Sequence, residues 1–264
     1  MDRELLELAR TVAEEAATLV RQRRTAGVEV ADTKSSPVDV VTEADRAAEK
    51  LIYSRLTEAR PGDGFLGEEG GSADSTTGVT WVVDPIDGTV NFLYGIPQYA
   101  VSIAASVDGE PVAGVVVNVA SGEVFTATRG GGAMLDGRRL QVRDVVPLEQ
   151  RLVATGFNYV RDVRTLQAAA IGRMLATVRD IRRLGSAALD LCGLAAGRLD
   201  GYVEEGLNPW DMAAGGLVAQ EAGARVETRT GVGGTTCVVA APAAGFDDFH
   251  ALAKTCGFFA AEGE

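Results

Sequence analysis

The segment Trp81-Val82-Val83-Asp84-Pro85-Ile86-Asp87-Gly88-Thr89-Val90-Asn91-Phe92 constrains this chain more than any other. Three apolar residues of strand type run straight into Asp-Pro. Proline has no backbone N–H to donate, so the strand ladder is expected to break there and leave an irregular turn. Two carboxylates three residues apart, Asp84 and Asp87, are thereby set at the exit of a buried strand. Asp87-Gly88-Thr89 then reads as the start of a short helix that ends before Pro97. Backbone N–H groups at such a start attract an anion. Carboxylates for a cation beside amides for an anion suggest a metal–phosphate site. Asp-Pro and Asp-Gly are also ordinary turn dipeptides, so these residues alone leave a plain tight loop equally open.

The balance is tipped elsewhere in the chain. The net charge of −12 disfavours direct contact with nucleic acid or an anionic membrane, which calls for a basic patch. It is compatible with a phosphorylated ligand, because bound divalent cations invert the local field. No apolar run reaches bilayer-spanning length, and Met1-Asp2-Arg3-Glu4-Leu5 has no secretory pattern. Three scattered cysteines, Cys192, Cys237 and Cys256, point to reduced thiols and a cytoplasmic location. The single histidine, His250, falls in a C-terminal helical pattern and is expected on that helix's surface. Ser-His-Asp chemistry and His-rich zinc sites are therefore poor fits, which leaves carboxylates and a metal.

Residues 3 to 24 repeat apolar side chains at three and four, an amphipathic helix. Residues 27 to 41 alternate like two strands around Ser35-Ser36-Pro37, with Lys34 beside the turn. Thr42 and Asp45 form a capping-box-like pair for a helix that runs to Pro61. A brief strand from Gly64 ends in Glu68-Glu69, and residues 71 to 78 read as a surface loop. From Tyr99 to Val142 short strands alternate with Asp-Gly and Gly-rich turns, an antiparallel meander. Beyond residue 150 strands and helices alternate: strands at 152–156, 181–184 and 201–204, helices at 164–179, 186–197 and 212–223, then strands near Arg225 and Cys237 and a helix from Asp247. With no repeat and no long linker, residues 1–264 are read as one unit, in halves 1–145 and 146–264.

A second acidic cluster lies in Glu204-Glu205-Gly206-Leu207-Asn208-Pro209-Trp210-Asp211, where Asp211 opens a helix. Helix capping accounts for one such carboxylate. Acidic turns at Glu68/Glu69, Asp84, Asp87 and Asp211 together suit a multi-magnesium phosphatase. Gly-Glu-Glu at 67–69, Trp-Val-Val-Asp-Pro-Ile-Asp-Gly-Thr-Val-Asn-Phe at 81–92 and Pro-Trp-Asp-Met-Ala-Ala-Gly-Gly-Leu-Val-Ala-Gln-Glu-Ala-Gly at 209–223 occur in order and with spacing that resembles the inositol monophosphatase family, over residues 34–223.

The resemblance implies an α/β fold, layered α-β-α-β-α, usually as a homodimer. It implies two or three magnesium ions, with Glu68, Asp84 and the carbonyl of Ile86 holding one, and Asp84, Asp87 and Asp211 a second. Gly88 and Thr89 match the phosphate cradle. Thr89 with Asp45 matches the group orienting a metal-held water, and Glu69 a partner to the catalytic water. Lys34 and Asp39 match a mobile loop near a weaker third metal. Gly185, Ser186 and Glu204 match substrate-hydroxyl contacts; Ser186 stands where many relatives have Thr, and Asn208 where animal relatives often have His. The implied reaction is magnesium-dependent, lithium-sensitive hydrolysis of a small phosphorylated polyol or sugar, foremost inositol 1-phosphate. Histidinol phosphate, fructose 1,6-bisphosphate and 3′-phosphoadenosine 5′-phosphate are the alternatives within that class. A regulatory role through the transcription machinery is the alternative outside it.

Overall fold

The helical period is plainest in the first helix, where Leu5, Ala9, Val12, Ala13, Ala16, Ala17 and Val20 are buried along one stripe. The computed structural model describes residues 1–28, 30–33 and 40–260. In chain order it holds α1 (Asp2–Ala26), β1 (Val30–Thr33), β2 (Val40–Thr42), α2 (Glu43–Ala59), β3 (Gly64–Gly67), β4 (Ser72–Ala73), β5 (Val79–Asp87), α3 (Thr89–Tyr94), β6 (Ala100–Val107), β7 (Glu110–Asn118), β8 (Val124–Thr128), β9 (Gly132–Leu135) and β10 (Arg138–Arg139). The second half adds β11 (Leu152–Thr155), α4 (Arg161–Leu175), β12 (Asp180–Arg182), α5 (Ala187–Ala195), β13 (Gly201–Glu205), α6 (Pro209–Glu221), β14 (Ala224–Thr230), β15 (Thr236–Pro242) and α7 (Phe246–Cys256).

Strands β3 to β10 form an eight-stranded sheet, and β11 to β15 a five-stranded one in the order β12-β11-β13-β15-β14. Successive residues of β5 serve opposite faces. Trp81 and Val83 meet α1 and α2 through Leu5, Val12, Ile52 and Leu56, whereas Val82 meets α5 and α6 through Leu189 and Leu217. The far side of α5 and α6, with Leu191, Leu194 and Ala219, packs on Tyr202, Val238 and Ala240 of the smaller sheet. Beyond that sheet, Met174, Phe249 and Ala253 of α4 and α7 cover Val153, Val203 and Val239. The layers are therefore α-β-α-β-α, as the resemblance implied. Helices α5 and α6 are hemmed in on both sides, which is why they are rich in Ala and Gly. A Cβ on Gly215 would lie 2.9 Å from the Ala188 carbonyl oxygen, and one on Gly114 would lie 3.1 Å from the Ala214 Cα.

Several sequence expectations shift. The ladder does not end at Asp-Pro: Asp84 pairs with Ser102 and Asp87 with Ala100, and the register slips between them. Proline removes one donor, but a bulge absorbs it and pairing resumes, so both carboxylates leave a strand that is still held. The 71–78 loop contributes β4 as an edge strand paired with β3. Helix α4 begins earlier and ends earlier than its apolar pattern, at Arg161 and Leu175. His250 is not on an open surface. Its ring stacks between Phe246 and Phe259 at 5.8 and 5.1 Å, and Nε2 is enclosed without a hydrogen-bond partner among the described residues. The turn expected around residues 35–37, with Lys34 and Asp39, lies outside the described residues.

Candidate metal and phosphate site

The bulge that closes β5 turns Asp84 inward, and the Ile86 N–H donates to Asp84 Oδ1 at 3.0 Å. Three residues on, Asp87 accepts from the Ala188 and Ala187 amides of α5 at 2.8 and 3.3 Å and from the Ser186 hydroxyl at 2.5 Å. The start of α6 supplies Asp211, whose Oδ2 accepts from the Asn208 N–H at 2.5 Å. One oxygen from each of Asp84, Asp87 and Asp211 lies within 4.8 Å of the others. Glu68, which leaves β3 with its N–H on the Val83 carbonyl at 3.2 Å, lines the same cavity. That cavity is about 290 Å³, the size for a small ligand.

Electrostatics set this cluster apart. Burial, then the charges of Glu68, Asp87 and Asp211, hold the Asp84 carboxyl well above the usual aspartate range. Burial and Asp87 do the same to Asp211. Asp87 is raised only to about 6, because its burial is partly offset by the Ser186 hydroxyl and the α5 amides. Acids that repel each other in a buried pocket need a cation to be stable when ionised. The donors are oxygen alone, without sulfur or imidazole, and so fit a hard divalent ion such as magnesium.

Beside the acids, Gly88 has φ +93° and opens α3 without a side-chain cap. The first amides of α3 are thus free to meet an anion at the cavity wall formed by Gly88 and Thr89. The Thr89 hydroxyl is within hydrogen-bond reach of Asp45 Oδ1 at 3.1 Å and of the Ile86 carbonyl at 3.0 Å. Burial pushes Asp45 up to about 6 against its bonds to Thr42. At the other end of the cavity lining, Glu204 accepts from the Tyr202 hydroxyl at 2.9 Å, and burial raises it to about 7.

The structure thus brings Glu68, Asp84, Ile86, Asp87, Gly88, Thr89, Gly185, Glu204 and Asp211 to one cavity, with Asp45 directly behind Thr89. Ser186 does not line it: its hydroxyl caps α5 and holds Asp87. Glu69 lines a neighbouring recess with Arg46, Lys50 and Tyr53, while still adding its charge to the environment of Asp45. Lys34 and Asp39 are outside the described residues.

Four residues escaped the sequence reading. Glu49 is buried and takes the Glu69 and Gly71 N–H groups at 2.8 and 3.0 Å, fixing the turn that carries Glu68. Asn91 donates to the Gln98 and Leu184 carbonyls at 2.7 and 2.8 Å and ties α3 to the segment before α5. Asp190 is enclosed, with both oxygens lacking a partner among the described residues; burial and the Glu204 charge raise it well above the aspartate range. Arg183 is the cationic side chain on the cavity wall among the described residues. Only Asn91 carried a signal, through its place in the 81–92 segment.

A layered α/β fold whose sheet exit and helix starts converge on an oxygen-only acidic centre defines a class of proteins built for divalent cations and small anions. A sequence profile of the inositol monophosphatase family matches residues 1–252. An inositol-1-monophosphatase SuhB of Mycobacterium tuberculosis (strain H37Rv) is 48% identical over 92% of this chain and 91% of its own length. A Nus factor SuhB of Pseudomonas aeruginosa is 41% identical over 73% of each chain. The solved structure of M. tuberculosis SuhB superposes with a TM-score of 0.85 at 45% identity, over 98% of this chain and 99% of that one. The chain belongs to the inositol monophosphatase family, a family of phosphatases.

Proposed function

We propose that the protein hydrolyses a small phosphate monoester of a polyol or sugar, with inositol 1-phosphate foremost, in the presence of magnesium. The observation that carries this reading is the set of mutually repelling carboxylates, buried Asp84 and Asp87 with half-buried Asp211, beside the uncapped start of α3. The name of the M. tuberculosis relative, an inositol-1-monophosphatase, supports the substrate.

In this reading Glu68, Asp84 and the Ile86 carbonyl hold one magnesium, and Asp84, Asp87 and Asp211 a second. Bound there, magnesium neutralises the phosphate, acidifies water and stabilises the departing alkoxide. Gly88 and Thr89 present backbone N–H groups to the phosphoryl oxygens. With the Ile86 carbonyl engaged, the Thr89 hydrogen turns to Asp45, and the Thr89 lone pairs accept from and aim the attacking water. Asp45 ionises more readily once a cation offsets Glu68, and then holds that hydroxyl. Glu204 accepts from a substrate hydroxyl. A cytoplasmic homodimer that lithium inhibits is part of the same reading; exposed Tyr94 and Ile96 are apolar side chains suited to a subunit contact.

The name of the P. aeruginosa relative favours a second reading, a regulatory partner of the transcription machinery. The net charge of −12 makes direct RNA contact an unfavourable route to it. The test is phosphate release from inositol 1-phosphate, histidinol phosphate, fructose 1,6-bisphosphate and 3′-phosphoadenosine 5′-phosphate, with magnesium and with EDTA. Magnesium-dependent release with one preferred substrate is expected. A folded protein inert on all four would put the regulatory reading first.

A further inference from the structure

Arg183 faces a cavity whose other charged side chains are Glu68, Asp84, Asp87, Glu204, Glu205 and Asp211. It nevertheless makes no hydrogen bond or ion pair among the described residues. Its position is set by its neighbours. Gly185 has φ +91°, and a Cβ there would come within 2.4 Å of Arg183 Nη1, so the guanidinium lies back over a bare Cα. The Gly185 carbonyl in turn packs on Gly88, where an added Cβ would meet it at 3.0 Å. Asn91 holds the Leu184 carbonyl at 2.8 Å. A cation without a partner among the described residues is thereby fastened next to the turn that carries the phosphate cradle.

Its charge reaches Glu204 and Asp87, lowering each against the burial that raises them. One oxygen of Glu204 is taken by Tyr202; the other makes no hydrogen bond among the described residues. An acceptor-only carboxylate near a donor-only guanidinium matches two adjacent hydroxyls, each of which both donates and accepts. We propose that Arg183 is a specificity-determining residue, donating to one hydroxyl of the substrate polyol while the neighbouring hydroxyl donates to Glu204, so that the pair selects a vicinal diol. This rests on the phosphatase reading above.

The experiment compares wild type, Arg183→Met and Arg183→Lys on inositol 1-phosphate, on deoxyinositol 1-phosphates each lacking one hydroxyl, and on p-nitrophenyl phosphate. A hydrogen bond to a charged group lost from a ligand site corresponds to about tenfold or more. Arg183→Met is therefore expected to lower the ratio of kcat/KM for inositol 1-phosphate over p-nitrophenyl phosphate about tenfold, mainly through KM. Arg183→Lys restores part of the ratio, and one deoxy analogue loses nothing further in Arg183→Met. An equal fall on both substrates, with or without a change in elution volume, or an unchanged ratio, overturns the inference alone. A wild type inert on every substrate overturns the phosphatase reading with it.

Discussion

Asp84→Asn separates the physics of the site from its chemistry, because it removes a charge while keeping the volume and the Oδ1 that accepts from the Ile86 N–H. Two ionised carboxylates within 4.8 Å repel by about 3.5 kcal/mol at an effective dielectric of about 20. With two such neighbours, the repulsion on Asp84 reaches about 7 kcal/mol when all three are charged. Protonating it instead at pH 8, from an ordinary value of 3.8, costs about 6 kcal/mol, which sets the ceiling on the strain the fold carries without a cation. An acid whose folded-state pKa is raised contributes stability that is complete below its unfolded value and is lost as pH rises through the folded one. In EDTA the variant is therefore more stable than wild type. A gain of about 3 kcal/mol at pH 8 raises Tm by roughly 6–12 °C for a chain of this size. At pH 5 the same ceiling falls to about 1.6 kcal/mol, so the shift there is at most about half of that at pH 8. Magnesium should raise the wild-type Tm and leave the variant nearly unmoved, and phosphate release should vanish. Thermal melts at both pH values decide the matter. A variant no more stable than wild type in EDTA at pH 8, or equally stabilised at both pH values, refutes the repulsion argument; substantial turnover refutes the site assignment.

Thr89→Ala, which deletes the hydroxyl between Asp45 and the Ile86 carbonyl, is expected to lower kcat by about a hundredfold with little change in KM, and Thr89→Ser to restore most of it, in steady-state phosphate release. Gly156→Ala places a Cβ 1.9 Å from Glu204 Oε1, so kcat/KM for a polyol phosphate should fall about tenfold or more while circular dichroism stays native. Glu49→Gln loses one of two acceptors on the Glu69–Gly71 turn; a loss of about 1–3 kcal/mol in urea melts is expected, with a higher magnesium requirement because that turn carries Glu68.

The strand and helix alternation was legible because each element buries a regular set of apolar residues, as in α1 and β5. Pro85 misled only in part. Its missing N–H is a local fact visible in the chain, but whether a strand ends or bulges there depends on β6, whose Ala100 re-forms the pairing with Asp87. The site was legible where its residues cluster in sequence, at 68–69, 84–89 and 204–211. It was illegible where a residue acts across the fold. Glu49 works on a turn twenty residues away, and Arg183 enters the cavity through the tie between Asn91 and Leu184. His250 shows the same limit. Its place on the surface of α7 followed from that helix's own pattern, yet Phe259, beyond the helix, covers it.

The sequence set two explanations of the acidic turns against each other, capping and function, and the structure shows why they do not compete. Each capping carboxylate divides its work between its oxygens. Asp45 gives Oδ2 to the Thr42 N–H at 2.9 Å and to the Thr42 hydroxyl, and turns Oδ1 to Thr89. Asp211 gives Oδ2 to the Asn208 N–H, with Oδ1 left over. Asp87 takes its two closer bonds, from Ser186 and Ala188, on Oδ2, and only the longer one from Ala187 on Oδ1. A helix start holds such a side chain in one rotamer and supplies positive N–H groups that blunt its charge. The remaining oxygen is thus aimed without being neutralised. Three helices are anchored by the same carboxylates that face the cavity and the Thr89 hydroxyl, so the geometry of the site is as rigid as the layers that those helices form.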